Sequence, residues 1–153
     1  MNTYSELSIS RKFSVINQQI RHFYDASFAK TGLTGTQATV IYFLYTHSGG
    51  ENIYQRDIEL QFNIRRSSVT SVLQGLEQNG YILRESVPED SRLKKLTLTD
   101  KAVGMAGELK FQIDHINRMV LDSLNEDEIR VFNTMLDKIF DRLDTVMKEK
   151  APE

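Results

Sequence analysis

At 153 residues, with 40% hydrophobic and 26% charged side chains, the chain has the size of one domain and enough apolar residues for a core. It contains no cysteine, which excludes disulfides, thiolate metal ligands, cysteine nucleophiles and thiol-based redox sensing. The net charge is -2, no apolar run reaches roughly eighteen residues, and Met1-Asn2-Thr3-Tyr4-Ser5-Glu6 has neither a basic nor an apolar leader pattern; a single cytoplasmic domain over residues 1–153, with no membrane partner, is expected.

Along the chain, Ile9, Phe13, Ile16, Ile20 and Phe23 recur at steps of four and three, placing one apolar stripe on a first helix that ends near Lys30-Thr31-Gly32. Thr34-Gly35-Thr36-Gln37 fits a capping box and opens a second helix with Val40, Ile41 and Leu44 turned to a core. Ser48-Gly49-Gly50 breaks it. A short third helix over residues 55–62 uses Ile58 and Leu60 or Phe62 as apolar contacts, and Asn63-Ile64 forms a tight turn. The fourth helix, from about Ser67 to Gln78, carries Val69, Val72, Leu73 and Leu76 on one side and stops at Asn79-Gly80. Tyr81-Ile82-Leu83 and Leu96-Thr97-Leu98 read as strands of a long-tipped hairpin around Pro88-Glu89-Asp90-Ser91-Arg92-Leu93-Lys94-Lys95. Thr99-Asp100 starts a fifth helix with Leu109, Ile113, Ile116, Val120 and Leu124 in its stripe, and Asn125-Glu126-Asp127-Glu128 caps a sixth with Ile129, Phe132, Leu136, Ile139, Leu143 and Val146.

Two short helices followed by a hairpin read as a winged helix-turn-helix over residues 34–99, so the fold class is mainly α with a small β-hairpin wing. The outer helices, residues 5–31 and 100–149, have stripes longer than that module can cover; a helical homodimer would bury them through Ile9, Phe13, Ile16, Ile116, Val120, Phe132, Leu136, Ile139 and Leu143. The charge distribution agrees: residues 61–95 carry six basic and four acidic side chains, whereas residues 108–153 carry eleven acidic and seven basic. Charge alone does not separate a docking face from ordinary surface variation.

Three sequence pieces together resemble the MarR family of winged-helix regulators over nearly the whole chain: Leu33-Thr34-Gly35-Thr36-Gln37, then Ser68-Val69-Thr70 with Leu76-Glu77-Gln78-Asn79-Gly80, then Asp90-Ser91-Arg92 with Lys94-Lys95 before Leu96-Thr97-Leu98-Thr99. The resemblance implies an obligate homodimer with interlocked first, fifth and sixth helices, two recognition helices on a pseudo-palindromic double-stranded DNA operator, and repression relieved by a small lipophilic or phenolic effector. Where the family often has basic residues shortly after the recognition-helix threonine, this chain has Ser71 and Gly75, and its basic charge sits at Arg65 and Arg66.

The DNA-facing candidates are Arg65, Arg66, Ser67, Ser68, Thr70, Ser71 and Gln74 on the fourth helix, with Arg92, Lys94 and Lys95 on the wing. Arg92 at a hairpin tip can enter a narrow minor groove while Asp90 holds its guanidinium; the plainer reading is a solvated ion pair worth at most about 1 kcal/mol. Ser67 or Ser68 could equally be a helix cap. Only one of Lys94 and Lys95 is expected to reach phosphate, because strand neighbours alternate faces. His22, Tyr24, Tyr42, Tyr45 and Phe111 could line an effector pocket, although aromatic residues at such places are often core. No glycine-rich phosphate loop, catalytic triad signature or paired-histidine spacing is present, so neither catalysis nor a metal or other cofactor is expected. The competing reading is a winged-helix protein-interaction module without specific DNA binding.

Overall fold

Backbone order begins with α1 (Ile9–Phe28), which runs through a 3-10 turn (Ala29–Thr31) into α2 (Gly35–Thr46), α3 (Gln55–Phe62) and α4 (Arg66–Gln78). Strands β1 (Ile82–Val87) and β2 (Asp90–Leu98) then form an antiparallel hairpin, and α5 (Asp100–Leu121) and α6 (Glu126–Glu149) close the chain. This computed structural model describes residues 4–50, 52–87 and 90–149, with the side chains of Asp90, Ser91 and Arg92 outside that description. The mainly helical winged architecture expected from the sequence is the one observed.

Local chemistry sets the element ends. The Thr34 Oγ1 accepts from the Gln37 N–H at 3.2 Å while the Gln37 Oε1 accepts from the Thr34 N–H at 3.0 Å, completing the capping box of α2. Asn125 and Glu128 make the same reciprocal pair at the start of α6, at 3.0 and 2.8 Å. Asn63 takes φ 46, a left-handed conformation that asparagine tolerates, and turns α3 into α4. Gly80, at φ 70, stops α4 and releases the chain into the hairpin.

Residues up to Ile116 form one compact unit and those from Asn117 onward another. Within the first, α2, α3, α4, the hairpin and most of α5 close around a single apolar cluster that includes Phe28, Ile41, Ile58, Val69, Leu73, Leu76, Ile82, Leu96, Leu109 and Ile113. Fully burying one such side chain contributes about 1.5–3 kcal/mol, so the cluster holds the helix-turn-helix elements as one body. Phe43 packs edge-on against Phe62 at 5.9 Å between ring centroids, sealing α3 onto α2. In the second unit, none of the described residues of α6 is buried. No helix among the described residues is long and apolar enough to cross a membrane.

Four expectations are corrected. Leu60 is 72% exposed, so α3 is anchored by Ile58 and Phe62 rather than by Leu60. The hairpin strands extend well beyond their apolar triplets, because polar Glu85, Ser86, Lys94 and Lys95 pair across the ladder as readily as apolar residues do. Tyr81 precedes β1, with its ring 4.0 Å from the Lys101 ammonium. Ile116, expected on the dimer face, is already buried within one protomer, as are Leu109 and Ile113 before it on the same helix. Ile9, Phe13, Ile16, Val120, Phe132, Ile139 and Leu143 are exposed and Leu136 is half-buried.

Candidate nucleic-acid interface

Helix α4 has a hydrophobic side and a polar side, and the core decides which faces out. Val69, Leu73 and Leu76 are each 0% exposed, which fixes the rotation of the helix about its axis. That rotation leaves Arg66, Ser67, Ser68, Ser71 and Gln74 exposed, together with Arg65 at the N-cap position. The Arg65 carbonyl accepts from the N–H groups of Ser68 and Val69, at 2.9 and 3.1 Å. The earlier N–H groups have no intrahelical acceptor, and they add the positive end of the helix dipole to two guanidinium groups. Such an end suits an anion, phosphate above all.

Thr70 is placed differently from its neighbours. Its hydroxyl donates to the Arg66 carbonyl at 2.9 Å and accepts from the Gln55 Nε2 at 3.0 Å, so its donor and one of its two lone pairs are engaged inside the protein. Gly75 faces the start of α2, where an added Cβ would lie 2.8 Å from the Gln37 Nε2. The unfavourable glycine in α4 thus lets the recognition helix pass close to the capping box of α2. Gly35 makes a still tighter approach, since a Cβ there would stand 2.7 Å from the Tyr24 Cβ, and its N–H donates to the Asp25 carboxylate at 2.8 Å. Asp25 thereby anchors α1 to the N-terminus of α2, a role that sequence spacing did not reveal.

The wing is held at both edges. β1 pairs with β2 in a register that sets Ser86 opposite Lys94 and Glu85 opposite Lys95, with a shift between Ser86 and Val87. On the outer edge of β2, the Leu96 N–H donates to the Ile53 carbonyl at 2.8 Å and Tyr54 bridges Lys95, so the segment entering α3 acts as a third strand fragment. The Lys94 ammonium donates to the Ser86 hydroxyl, and Lys95 is half-buried. Lys94 and Lys95 therefore both lie on the body of the wing. The Arg92 and Asp90 side chains, the leading wing-tip candidates, lie outside the described residues, although their backbone belongs to β2.

The effector candidates do not converge on one cavity. Tyr24 lines a cavity of about 250 Å³ with Ile20, Arg21, Thr39, Phe62 and Ile64. Tyr45 lines another, of about 310 Å³, with His47, Lys95 and Val103. Phe111 is 67% exposed and His22 is also exposed, whereas Tyr42 is half-buried beside Tyr24. Burial, then the Asp114 carboxylate, then Tyr42 push the Tyr24 phenol above its usual pKa.

A helix-turn-helix with an exposed polar recognition helix, followed by a two-stranded wing, defines the winged-helix class. The sequence model of the MarR family matches residues 31–93, from the turn before α2 into the wing. The chain is 28% identical over 134 residues to the HTH-type transcriptional regulator MhqR of Bacillus subtilis strain 168, covering 86% of each protein. It superposes with a TM-score of 0.74 on the crystal structure of the transcription regulator MarR from Oenococcus oeni PSU-1, at 28% identity over 88% of this chain and 99% of that one. It is also similar in fold to MepR of S. aureus in a MepR–DNA complex, with a TM-score of 0.84 and 22% identity over 90% of this chain and 99% of that one. Residues 31–93 thus match the MarR family, and over most of its length the chain is similar to transcriptional regulators.

Proposed function

We propose that this protein is a ligand-responsive repressor that binds a pseudo-palindromic double-stranded DNA operator as a homodimer in the cytoplasm. The observation that carries the reading is the outward face of α4: two arginines at its N-terminal end, then Ser67, Ser68, Ser71 and Gln74, opposite a face whose apolar residues are sealed in the core. Short polar side chains beside guanidinium groups suit base edges and phosphates, and the basic wing supplies a second contact along the backbone. MepR, similar in fold, was crystallised on DNA, which supports a DNA-binding role for this chain. A protein-interaction module without DNA binding would leave this grouping without a partner.

Dimerisation supplies the second helix. Exposed apolar side chains at Ile9, Phe13 and Ile16 on α1, and at Phe132, Ile139 and Leu143 on α6, give a second copy surface to cover. A two-fold axis would then set two α4 helices into successive major grooves, with half-sites about 10 base pairs apart. The cavity beside Tyr24 contacts α1, α2 and the turn into α4, so a small lipophilic or phenolic molecule there could alter the setting of the recognition helix.

Fluorescence anisotropy with DNA from upstream of the protein's own gene, against scrambled DNA at several salt concentrations, tests the reading. Tight, sequence-selective binding with a steep salt slope is expected. Equal weak binding to both DNAs, followed by failure of a genome-wide selection to enrich any site, would overturn it.

A further inference from the structure

Resting on the DNA-binding reading, we infer that Gln55 and Arg84 are positioning residues that hold the recognition helix and the wing in one fixed relation, so that operator selectivity depends on side chains that do not themselves touch DNA. Arg84 sits on β1 two residues after buried Ile82 and shares its face, since side chains alternate along a strand. A charged residue therefore points inward at the base of the wing, where its side chain is only 20% exposed. Its Nη2 donates to the Gln55 Oε1 at 3.2 Å, and its Nη1 lies 3.9 Å from the Glu77 carboxylate near the end of α4.

Gln55 completes the connection. Its Nε2 donates to the Thr70 hydroxyl at 3.0 Å and to the Glu59 carboxylate at 3.0 Å, so both amide hydrogens and the carbonyl of one side chain are engaged. One glutamine on α3 thus joins β1 to α4, while Arg84 reaches the other end of α4 through Glu77. The wing and α4 are separately tethered to the core by apolar contacts, but those contacts are nondirectional. Hydrogen bonds from a part-buried guanidinium and amide add a directional constraint on how far the wing sits from the helix. Two DNA-contacting elements that must land on one operator together gain selectivity from such a constraint, because a small misplacement loses base contacts before it loses phosphate attraction.

The test compares Gln55→Leu, Arg84→Lys and Arg84→Gln with the natural protein in anisotropy titrations against operator and scrambled DNA, across several salt concentrations, with thermal melting as the folding control. Arg84→Lys preserves the charge but removes the guanidinium fork, so it also serves if Gln55→Leu fails to fold. Each folded variant is expected to lose at least about tenfold in the operator-to-scrambled affinity ratio, with binding to scrambled DNA and the salt slope unchanged. A drop of about one in the salt slope for Arg84→Gln would instead mark Arg84 as a phosphate contact and overturn the positioning role. An unchanged ratio with a lowered melting temperature would reduce the cluster to a stabilising one and overturn it as well. If the natural protein itself shows no selectivity, the DNA-binding reading fails, a result distinct from either.

Discussion

The winged unit and the outer helix α6 answer the same problem, an apolar stripe in water, in opposite ways. In the winged unit the stripe residues Ile58, Val69, Leu73 and Leu76 are fully buried by their own chain, and α5 adds Leu109 and Ile113 to the same cluster. In α6, Phe132, Ile139 and Leu143 remain exposed, flanked by Val131, Met135 and Phe140. The first pattern closes the core of the winged unit within one protomer. The second leaves large apolar side chains exposed along one helix, and so points to assembly.

Four measurements break or sharpen this contrast. Leu136→Asp, in the middle of the α6 stripe, should give a monomer by light scattering and lower operator affinity by about a hundredfold or more, since the second half-site contact becomes independent. A monomer with undiminished affinity would separate assembly from DNA binding. On the other side of the contrast, Leu73→Ala should destabilise the winged unit by about 2–5 kcal/mol in denaturant titration, because its surroundings are closely packed and cannot collapse onto the vacated volume. A cost well under 1 kcal/mol would mean that α4 is not sealed against the core. Arg92→Ala should weaken operator binding by at least about tenfold while leaving the dimer and its melting temperature intact, and an unchanged affinity would remove the wing tip from the interface. The smallest effect is expected for Thr34→Ala, a loss of about 1 kcal/mol in stability from the α2 cap, read by thermal melting.

What the sequence disclosed and what it concealed follow the range of the interaction. Caps at Thr34 and Asn125, the left-handed turn at Asn63 and the stripe of α4 depend on residues three or four apart, so their spacing was readable directly. The same spacing gave the polar face of α4, because burying Val69, Leu73 and Leu76 obliges Ser67, Ser71 and Gln74 to face outward. The link of Gln55 to Arg84 and Thr70 is hidden, because its bonds span 15 and 29 residues and carry no periodic mark, so that Thr70 reads from its spacing only as a DNA-facing residue. One cue was present: an arginine two residues after Ile82 on the inward face of a strand breaks the apolar alternation and asks for a partner. The burial of Ile116 within one protomer is hidden for a related reason. A continuous stripe along α5 cannot by itself show where its service to the protomer's own core ends.

The central claim, that a rigid winged unit is presented twice by a dimer formed through exposed helices, is tested most directly by hydroxyl-radical footprinting of the protein on its operator. Two protected segments related by two-fold symmetry, centred about 10 base pairs apart, with two protomers bound per site, are predicted. A single protected half-site occupied by one protomer, at full affinity, would contradict it.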